Sequence, residues 1–197
     1  MTTSDTTGPD GVGPDGVGPG TAASGPARPA DEDAVLGHPA VRRVVTALHQ
    51  AGVGGRVVVL GEHARTAVAA AEQLGVTVGQ IANSLVFSVT DPEATDGRRP
   101  LLVLTSGAHR VDTAKVAVAI GVPTLHRADA DFVRERTGFV IGGVAPLGHL
   151  AAVQTLVDVD LAGHDEVWAA AGHARTVFAT TYDELVRVTG GTPTEVA

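Results

Sequence analysis

The feature that most limits the fold of this chain is the alternation, from about residue 36 onward, of helix-like and strand-like segments with only short turns between many neighbouring strands. Two β-branched-rich runs, residues 84–90 and 101–105, flank a polar loop and predict a hairpin. Parallel strands need long crossover connections, whereas antiparallel strands do not. The pattern therefore favours an α/β (α+β) fold, a single compact domain with a mixed sheet flanked by helices.

Apolar residues at helical spacing predict a helix from Pro39 to Gly52, with Val45 among the residues facing inward, and another over residues 67–74. A third helix is expected from Asp112 through Ile120, with Ala119 facing the core. Two more helices are predicted: one at residues 130–137, which Gly138 ends, and one after Thr181, which begins a capping box. Further strands are predicted at residues 56–60, 122–127, 151–158, 167–171 and 176–180.

The N-terminal segment differs in character from the rest. Residues 1–32 are of low complexity, with the pentapeptide GPDGV at residues 8–12 repeated at 13–17. Such a segment buries too little apolar surface to offset its ordering entropy, so we predict a disordered Gly/Pro-rich tail. A total of 197 residues suits one domain, which we place at residues 33–197.

Composition narrows the function classes. Cysteine is absent, which excludes thiolate metal sites and cysteine nucleophiles. No segment has the length and apolarity of a membrane span or the pattern of a signal peptide, so we expect a cytoplasmic protein without a membrane partner. A formal charge of -8 argues against broad electrostatic capture of nucleic acid, DNA included. Basic residues do cluster in sequence between Arg98 and Arg136. They could bind a nucleic acid locally or form an ordinary surface of mixed charge, and both interpretations are open.

A glycine-rich loop is the strongest candidate for a ligand site. Residues 138–149, which we call the glycine loop, hold four glycines and a proline. Glycine lets backbone N–H groups approach a ligand, and proline stiffens the turn, which is a usual construction of an anion or oxyanion cradle. A strand-connecting turn with a bulge is the alternative interpretation.

Four short motifs follow one another along the chain: Thr66-Ala67-x-x-Ala70-Ala71, Ile81-x-Asn83-Ser84-Leu85-Val86, Asp112-x-x-Lys115, and Thr137-Gly138 leading into Gly142-x-x-x-Pro146. In this order they resemble the YbaK/EbsC and prolyl-tRNA-synthetase-associated editing domain family, over about residues 36–195. The resemblance implies a mixed, barrel-like sheet flanked by helices. It also implies hydrolysis, in trans, of the ester of a mischarged tRNA. The implied partners are the acceptor end of that tRNA and, as a second candidate, an aminoacyl-tRNA synthetase.

Ester hydrolysis needs a placed water, donors for the developing oxyanion, and a grip on the terminal adenosine and its phosphate. The resemblance implies that a ribose hydroxyl of the substrate assists, in place of a strong protein base. Residues assigned to catalysis on this basis are Asn83, Gly142, Gly143 and Pro146. Those assigned to substrate binding are Thr66, Ser84, Val144 and Ala145, together with His149 and His173.

The two histidines are weaker candidates than the motif residues. His149 follows the glycine loop and His173 lies near the C-terminal strands, so each could reach the pocket as a proton shuttle or adenosine contact. An exposed or capping role is the alternative for both. No histidines of the domain stand at metal-ligand spacing such as His-x-x-x-His, so we expect neither a zinc site nor a cofactor.

Asn83 departs from the family pattern. Relatives carry a lysine at this position, which supplies a positive charge near the terminal nucleotide of the substrate. An amide keeps hydrogen-bonding capacity and loses the charge. Asn83 therefore indicates a different substrate, slower chemistry, or a catalytically weakened member that binds an aminoacyl or nucleotide ligand, or a synthetase, without turnover. A structural role at the start of a strand is equally open.

Overall fold

The computed structural model describes residues 30–64 and 66–197. The predicted tail thus lies outside the described residues except for residues 30–32, which belong to the first helix. The α-helices are α1 (Ala30–Leu36), α2 (Pro39–Gln50), α3 (Ala67–Leu74), α4 (Thr113–Ala119), α5 (Ala130–Thr137) and α6 (Tyr182–Thr189). Short 3-10 helices cover Val78–Gln80 and Val159–Gly163.

The strands form a mixed sheet, which confirms the predicted fold class. They are β1 (Val57–Val59), β2 (Ile81–Thr90), β3 (Arg98–Ser106), β4 (Leu125–Arg127), β5 (Gln154–Asp158), β6 (Val167–Ala170), β7 (Thr176–Thr180) and β8 (Thr192–Thr194). The order is β1-β7-β6-β2-β3-β5-β8, with β4 pairing to β2 outside this path. The β2–β3 hairpin is antiparallel, whereas β2–β6, β3–β5 and β5–β8 are parallel.

Alternate residues of the central strands serve two hydrophobic cores, because successive side chains of a strand point to opposite faces. Ala82, Leu102 and Leu104 pack in a cluster with α2, α5, α6 and the glycine loop. Phe87 and Leu101 pack on the other face with α4. A smaller cluster there joins α3 to the start of β2. The helices therefore flank the sheet on both faces.

The inward faces of two helices differ from expectation. Val45 in α2 is 45% exposed, while Val41, Val44 and Leu48 are buried. In α4 the buried residues are Val116 and Ala117, and Ala119 is exposed. The sequence pattern is too short in α4, at seven residues, to fix which edge of an apolar stripe meets the sheet. Helix α1 and strand β8 were not predicted. The apolar run at residues 56–60 suggests a buried strand, but β1 lies at the sheet edge and is only half-buried.

Candidate active site

The sheet is interrupted beside β2. Along one edge, β2 pairs with β3 over its whole length from Ala82 to Thr90. Along the other edge it pairs with β6 only at Ile81 and Ala82, and with β4 only at Phe87 to Val89. Within the described residues, positions 83–86 thus have no neighbouring strand on that side. We call this stretch the β2 gap.

The hydrogen bonds at both ends of the hairpin show which backbone groups face the β2 gap. The carbonyl of Ile81 accepts from the Gly107 amide at 2.8 Å, and the Asp91 amide donates to the Gly97 carbonyl at 2.8 Å, both on the β3 side. Alternate residues of a strand direct their N–H and C=O groups to opposite edges. Ser84 therefore directs both groups into the gap, as does Val86 two residues on.

Two adjoining cavities open at the β2 gap. The larger has a volume of about 460 Å³ and includes Thr66, Asn83, Trp168 and His173 in its wall. The smaller, of about 370 Å³, lies towards β4 and the start of α4. Six residues border both cavities: Ser84, Leu85, Arg127, Ile141, Gly142 and Val144. The glycine loop therefore forms one wall of a continuous space whose opposite wall is the open edge of β2.

The Ser84 hydroxyl is the one buried side-chain polar atom of the described residues that lacks a hydrogen-bond partner. Leaving a buried hydroxyl unpaired costs on the order of 1–3 kcal/mol. Buried polar groups in native proteins are otherwise almost always paired, with protein or with bound molecules. Ser84 borders both cavities, so its unpaired hydroxyl and the neighbouring open backbone groups make this stretch the candidate contact for a polar ligand.

Asn83 borders the larger cavity and lies opposite Thr105 of β3. The Thr105 hydroxyl donates to the Asp158 carboxylate at 3.2 Å. Asp158 is buried and also accepts from the Ser106 amide at 3.0 Å and contacts the His109 ring at 2.8 Å. The Asp158 carboxylate therefore has its hydrogen-bond partners without a contribution from Asn83.

Thr66 enters the larger cavity from the N-terminus of α3. Its hydroxyl oxygen caps the helix by accepting from the Ala69 amide at 3.1 Å. The hydroxyl hydrogen is not needed for that contact. Thr66 can therefore cap α3 and donate to a ligand at the same time.

The glycine loop is seated on the turn that carries His173. Gly142 has a φ of +89°, a conformation that L side chains rarely adopt, and borders both cavities. A Cβ at Gly143 would lie 2.9 to 3.1 Å from the His173 Cα, N and C atoms. The Gly143 amide donates to the Val140 carbonyl at 2.9 Å, so it is already used inside the loop.

Helix α2 holds both ends of this loop through Arg43. Its Nε donates to the Gly148 carbonyl at 2.6 Å and its Nη2 to the Gly138 carbonyl at 2.8 Å. The guanidinium also lies 4.7 Å from the centre of the Phe139 ring. Charge-assisted bonds at both ends fix the path of the loop across the β2 gap.

His149 lies behind the loop, away from both cavities. Its Nε2 contacts the Ala145 carbonyl at 2.8 Å, which requires the proton on that nitrogen, and its ring meets Phe139 edge-on. Burial holds the pKa of His149 below its usual value, although the bond to Ala145 opposes this. In this structure the residue braces the loop, and a contact between its side chain and a substrate stays a prediction.

His173 borders the larger cavity and has two histidine neighbours. Its ring centre lies 5.5 Å from that of His38 and 5.7 Å from that of His63. Burial lowers the pKa of His173, and the positive charges that His38, His63 and Arg175 can carry lower it further. Its Nδ1 accepts from the Arg175 amide at 3.1 Å, which leaves Nε2 as the protonated nitrogen of a neutral ring. Within residues 30–64 and 66–197, no group of three acidic or histidine side chains could hold a metal ion.

Six of the ten residues singled out from the sequence line the larger cavity: Thr66, Asn83, Ser84, Gly142, Val144 and His173. The other four, Gly143, Ala145, Pro146 and His149, are not in its wall. Sequence reasoning missed Arg127, Arg110 and Trp168 as wall residues. The cluster of basic residues was a signal for the arginines, but it did not separate these two from their neighbours.

A cavity at an interrupted sheet edge, closed on one side by a glycine loop, is the arrangement typical of a ligand site in an α/β domain. Residues 61–188, more than half of the chain, match the family model described as the aminoacyl-tRNA editing domain. The chain belongs to this family, as the motif resemblance predicted.

Known relatives agree with this membership. A solved structure described as a proposed trans-editing enzyme for prolyl-tRNA synthetase is 42% identical, with a TM-score of 0.71 over 81% of this chain and 97% of that one. The hypothetical protein APE2540 is 25% identical, with a TM-score of 0.69 over 78% of this chain and 98% of that one. The uncharacterised protein YwhH of Bacillus subtilis (strain 168) is 30% identical over 59% of this chain and 69% of its own length. None of the helices that the structure describes is long and apolar enough to cross a membrane.

Proposed function

We propose that this protein is a free-standing aminoacyl-tRNA deacylase that hydrolyses the ester of a mischarged tRNA in trans. The observation that carries the proposal is the β2 gap, where open backbone groups and the buried, unpaired hydroxyl of Ser84 lie beside a cavity of about 460 Å³. Membership in the editing-domain family supplies the substrate class. In this proposal the terminal aminoacyl-adenosine occupies the larger cavity.

The proposed reaction is the addition of water to the ester carbonyl carbon. The bond between that carbon and the ribose oxygen then breaks, a proton passes to the ribose oxygen, and the free amino acid and the tRNA 3′ end are released. Negative charge develops on the carbonyl oxygen in the transition state, so fixed donors facing that oxygen lower the barrier. The Ser84 hydroxyl and the Ser84 amide are the donors we assign to this role.

The proposal assigns orientation of the ligand to three side chains of the larger cavity. Thr66 has a free hydroxyl hydrogen, and Asn83 offers both amide donors and an acceptor. His173 is a neutral ring whose Nε2–H is available to donate a hydrogen bond to the ribose, while its Nδ1 accepts from the Arg175 amide. The remaining wall is largely apolar and includes the small residues Ala64, Ala67 and Ala70, which suits a small or medium amino acid side chain.

Asn83 favours one alternative function from a different class. Without a cation at this position, the domain could bind an aminoacyl or nucleotide ligand, or a synthetase, and not turn it over. Asn83 nevertheless lies in the wall of the larger cavity, and an amide can still form hydrogen bonds. We therefore place catalysis first and binding without turnover second.

Deacylation of a panel of mischarged tRNAs separates the two functions. The proposal expects release of amino acid from at least one member at a rate well above spontaneous hydrolysis. Measurable binding with no hydrolysis of any member would establish the alternative. In the same assay we expect Asn83→Lys to increase the rate if the site is a weakened editor, and an unchanged or lower rate would show that Asn83 belongs to a working variant site.

A further inference from the structure

We propose that Arg110 and Arg127 form a phosphodiester-binding subsite in the smaller cavity, which holds the single-stranded RNA end behind its terminal nucleotide. The inference rests on the proposed function for the identity of the ligand. Arg110 and Arg127 lie outside the sequence motifs, and neither has a role in the proposed reaction.

The first observation is that these two arginines are the uncommitted members of the basic cluster. Seven basic residues lie between positions 98 and 136. Five of them bond to other side chains: Arg98 and Arg136 to Asp96, Arg134 to Asp131, Lys115 to Glu195, and Arg99 to Gln154. Arg110 and Arg127 form no ion pair or side-chain hydrogen bond with any described residue. These two are also the members of the cluster that line a cavity at the β2 gap.

The acidic residues closest to Arg110 and Arg127 in sequence cap helices and form no ion pair with the two arginines. Asp112 follows Arg110 by two positions, and its carboxylate accepts from the Ala114 and Lys115 amides at 2.9 and 3.1 Å. Asp129 follows Arg127 by two positions, and its carboxylate accepts from the Phe132 amide at 2.8 Å. Both carboxylates are therefore helix caps, and the smaller cavity has no acidic residue in its wall. The two guanidinium groups keep their charge for a ligand.

The chemistry of the wall selects a phosphate group. A guanidinium presents planar, paired donors that match the oxygens of a phosphate, and it stays charged at all relevant pH values. The other wall residues are largely apolar, among them Leu85, Val86 and Val133. Both arginines are exposed, so their side chains are accessible to an RNA strand at the surface. A protein with a net charge of -8 has few other places to attract RNA.

The position of Arg127 links the subsite to the reaction. It lies on β4 opposite Phe87 of β2 and borders both cavities. A strand whose last aminoacyl-nucleoside fills the larger cavity would pass Arg127 as it leaves, with Arg110 further along the smaller cavity. The subsite therefore binds the substrate at a distance from the ester, and it should affect KM more than kcat.

The test compares two substrates that differ in the phosphodiester. One is the mischarged tRNA, and the other is the corresponding aminoacyl-adenosine, which lacks any phosphate. Arg127→Ala and Arg110→Ala are each expected to raise KM for the tRNA about 10-fold or more with little change in kcat. Arg110→Ala should leave hydrolysis of aminoacyl-adenosine unchanged, because Arg110 borders only the smaller cavity. Arg127 also borders the larger cavity, so Arg127→Ala should impair the tRNA reaction more than the aminoacyl-adenosine reaction. Both variants should weaken the salt dependence of KM for the tRNA.

Two matched variants sharpen the comparison. Arg134→Ala removes the same charge from an exposed arginine that is paired with Asp131, and it should leave both substrates unaffected. Arg127→Lys keeps the charge and should restore part of the affinity. Thermal unfolding of every variant establishes that the fold is retained.

The outcomes distinguish the inference from the proposed function. If the arginine variants lose equal activity on tRNA and on aminoacyl-adenosine, or lose activity on neither, the phosphodiester subsite is overturned and the proposed deacylase function still stands. If wild-type protein hydrolyses neither substrate, the proposed function fails, and the subsite is then judged by fluorescence anisotropy with a short single-stranded RNA. Loss of that binding in both arginine variants and not in Arg134→Ala would support the subsite. Binding that is equal in all variants, or competed by millimolar inorganic phosphate in Arg127→Ala as in wild type, would refute it.

Discussion

Replacing Gly143 by alanine tests whether contact between the glycine loop and the His173 turn shapes the site. The added Cβ would lie 2.9 Å from the His173 Cα, 3.0 Å from its N and 3.1 Å from its C atom. These are backbone atoms of a half-buried, hydrogen-bonded turn, so they cannot move aside as the end of a flexible side chain would. The loop must then lift away from the turn, which alters the wall that Gly142 and His173 contribute to the larger cavity.

The cost follows from the geometry of this overlap. Forcing one extra carbon into a close-packed site typically destabilises a protein by about 1–3 kcal/mol. For a domain of this size each kcal/mol corresponds to about 2–4 °C in Tm, so the expected decrease is about 2–12 °C. Deacylation should also fall, because the loop is one wall of the site.

Gly163→Ala is the matched control. A Cβ at Gly163 would meet nothing within 4 Å, and its backbone is not in the left-handed region. This variant should stay within about 0.5 kcal/mol of wild type. Differential scanning calorimetry and urea unfolding measure both variants. Equal stability of Gly143→Ala and Gly163→Ala would refute the proposed seating of the loop on the His173 turn.

Three further predictions concern the supports of the site. Arg43→Met should destabilise the protein by about 2 kcal/mol in urea unfolding, because two loop carbonyls lose a charged donor. Arg42→Met, at the exposed neighbouring position, should have little effect. Equal effects of the two substitutions would contradict the role given to Arg43. Ser84→Ala should leave the free energy of unfolding unchanged or raise it by up to about 1 kcal/mol, since the hydroxyl is unpaired. The rate of deacylation should fall about 10-fold. A large loss of stability would show that the hydroxyl has a structural partner. Because the pKa of His149 is lowered by burial, the folded protein binds fewer protons than the unfolded chain, so stability is full above about pH 6.5 and decreases as the pH falls below it. In His149→Gln, which keeps an N–H donor for Ala145, urea unfolding at pH 5 and 7.5 should show a smaller difference than in wild type, and an unchanged difference would assign the pH dependence to other groups.

Much of the local structure could be predicted because its causes are local. The helix over residues 130–137 was bounded correctly, since Gly138 ends it in the left-handed conformation. Thr181 caps α6 by accepting from the Glu184 amide at 3.2 Å, as its capping-box pattern indicated. The Glu184 side chain, however, binds the Thr180 hydroxyl, so only half of the box forms as expected. Polar β8, with Pro193 at its centre, carries no strand signal, and its pairing with β5 provides the reason for its conformation.

The sequence by itself determined the kind of domain, the order of most elements and the family, because caps, periodicity and short motifs are properties of neighbouring residues. It also pointed to the glycine loop and to Asn83 and Ser84. Only the tertiary structure decided that β2 has an open edge at residues 83–86, since β4 and β6 reach that edge from distant parts of the chain. The same distant packing left Ser84 unpaired and set Arg110 and Arg127 apart from five paired basic neighbours. Which polar groups remain free for a ligand depends on where every possible partner lies, and that is fixed only when the whole chain has folded.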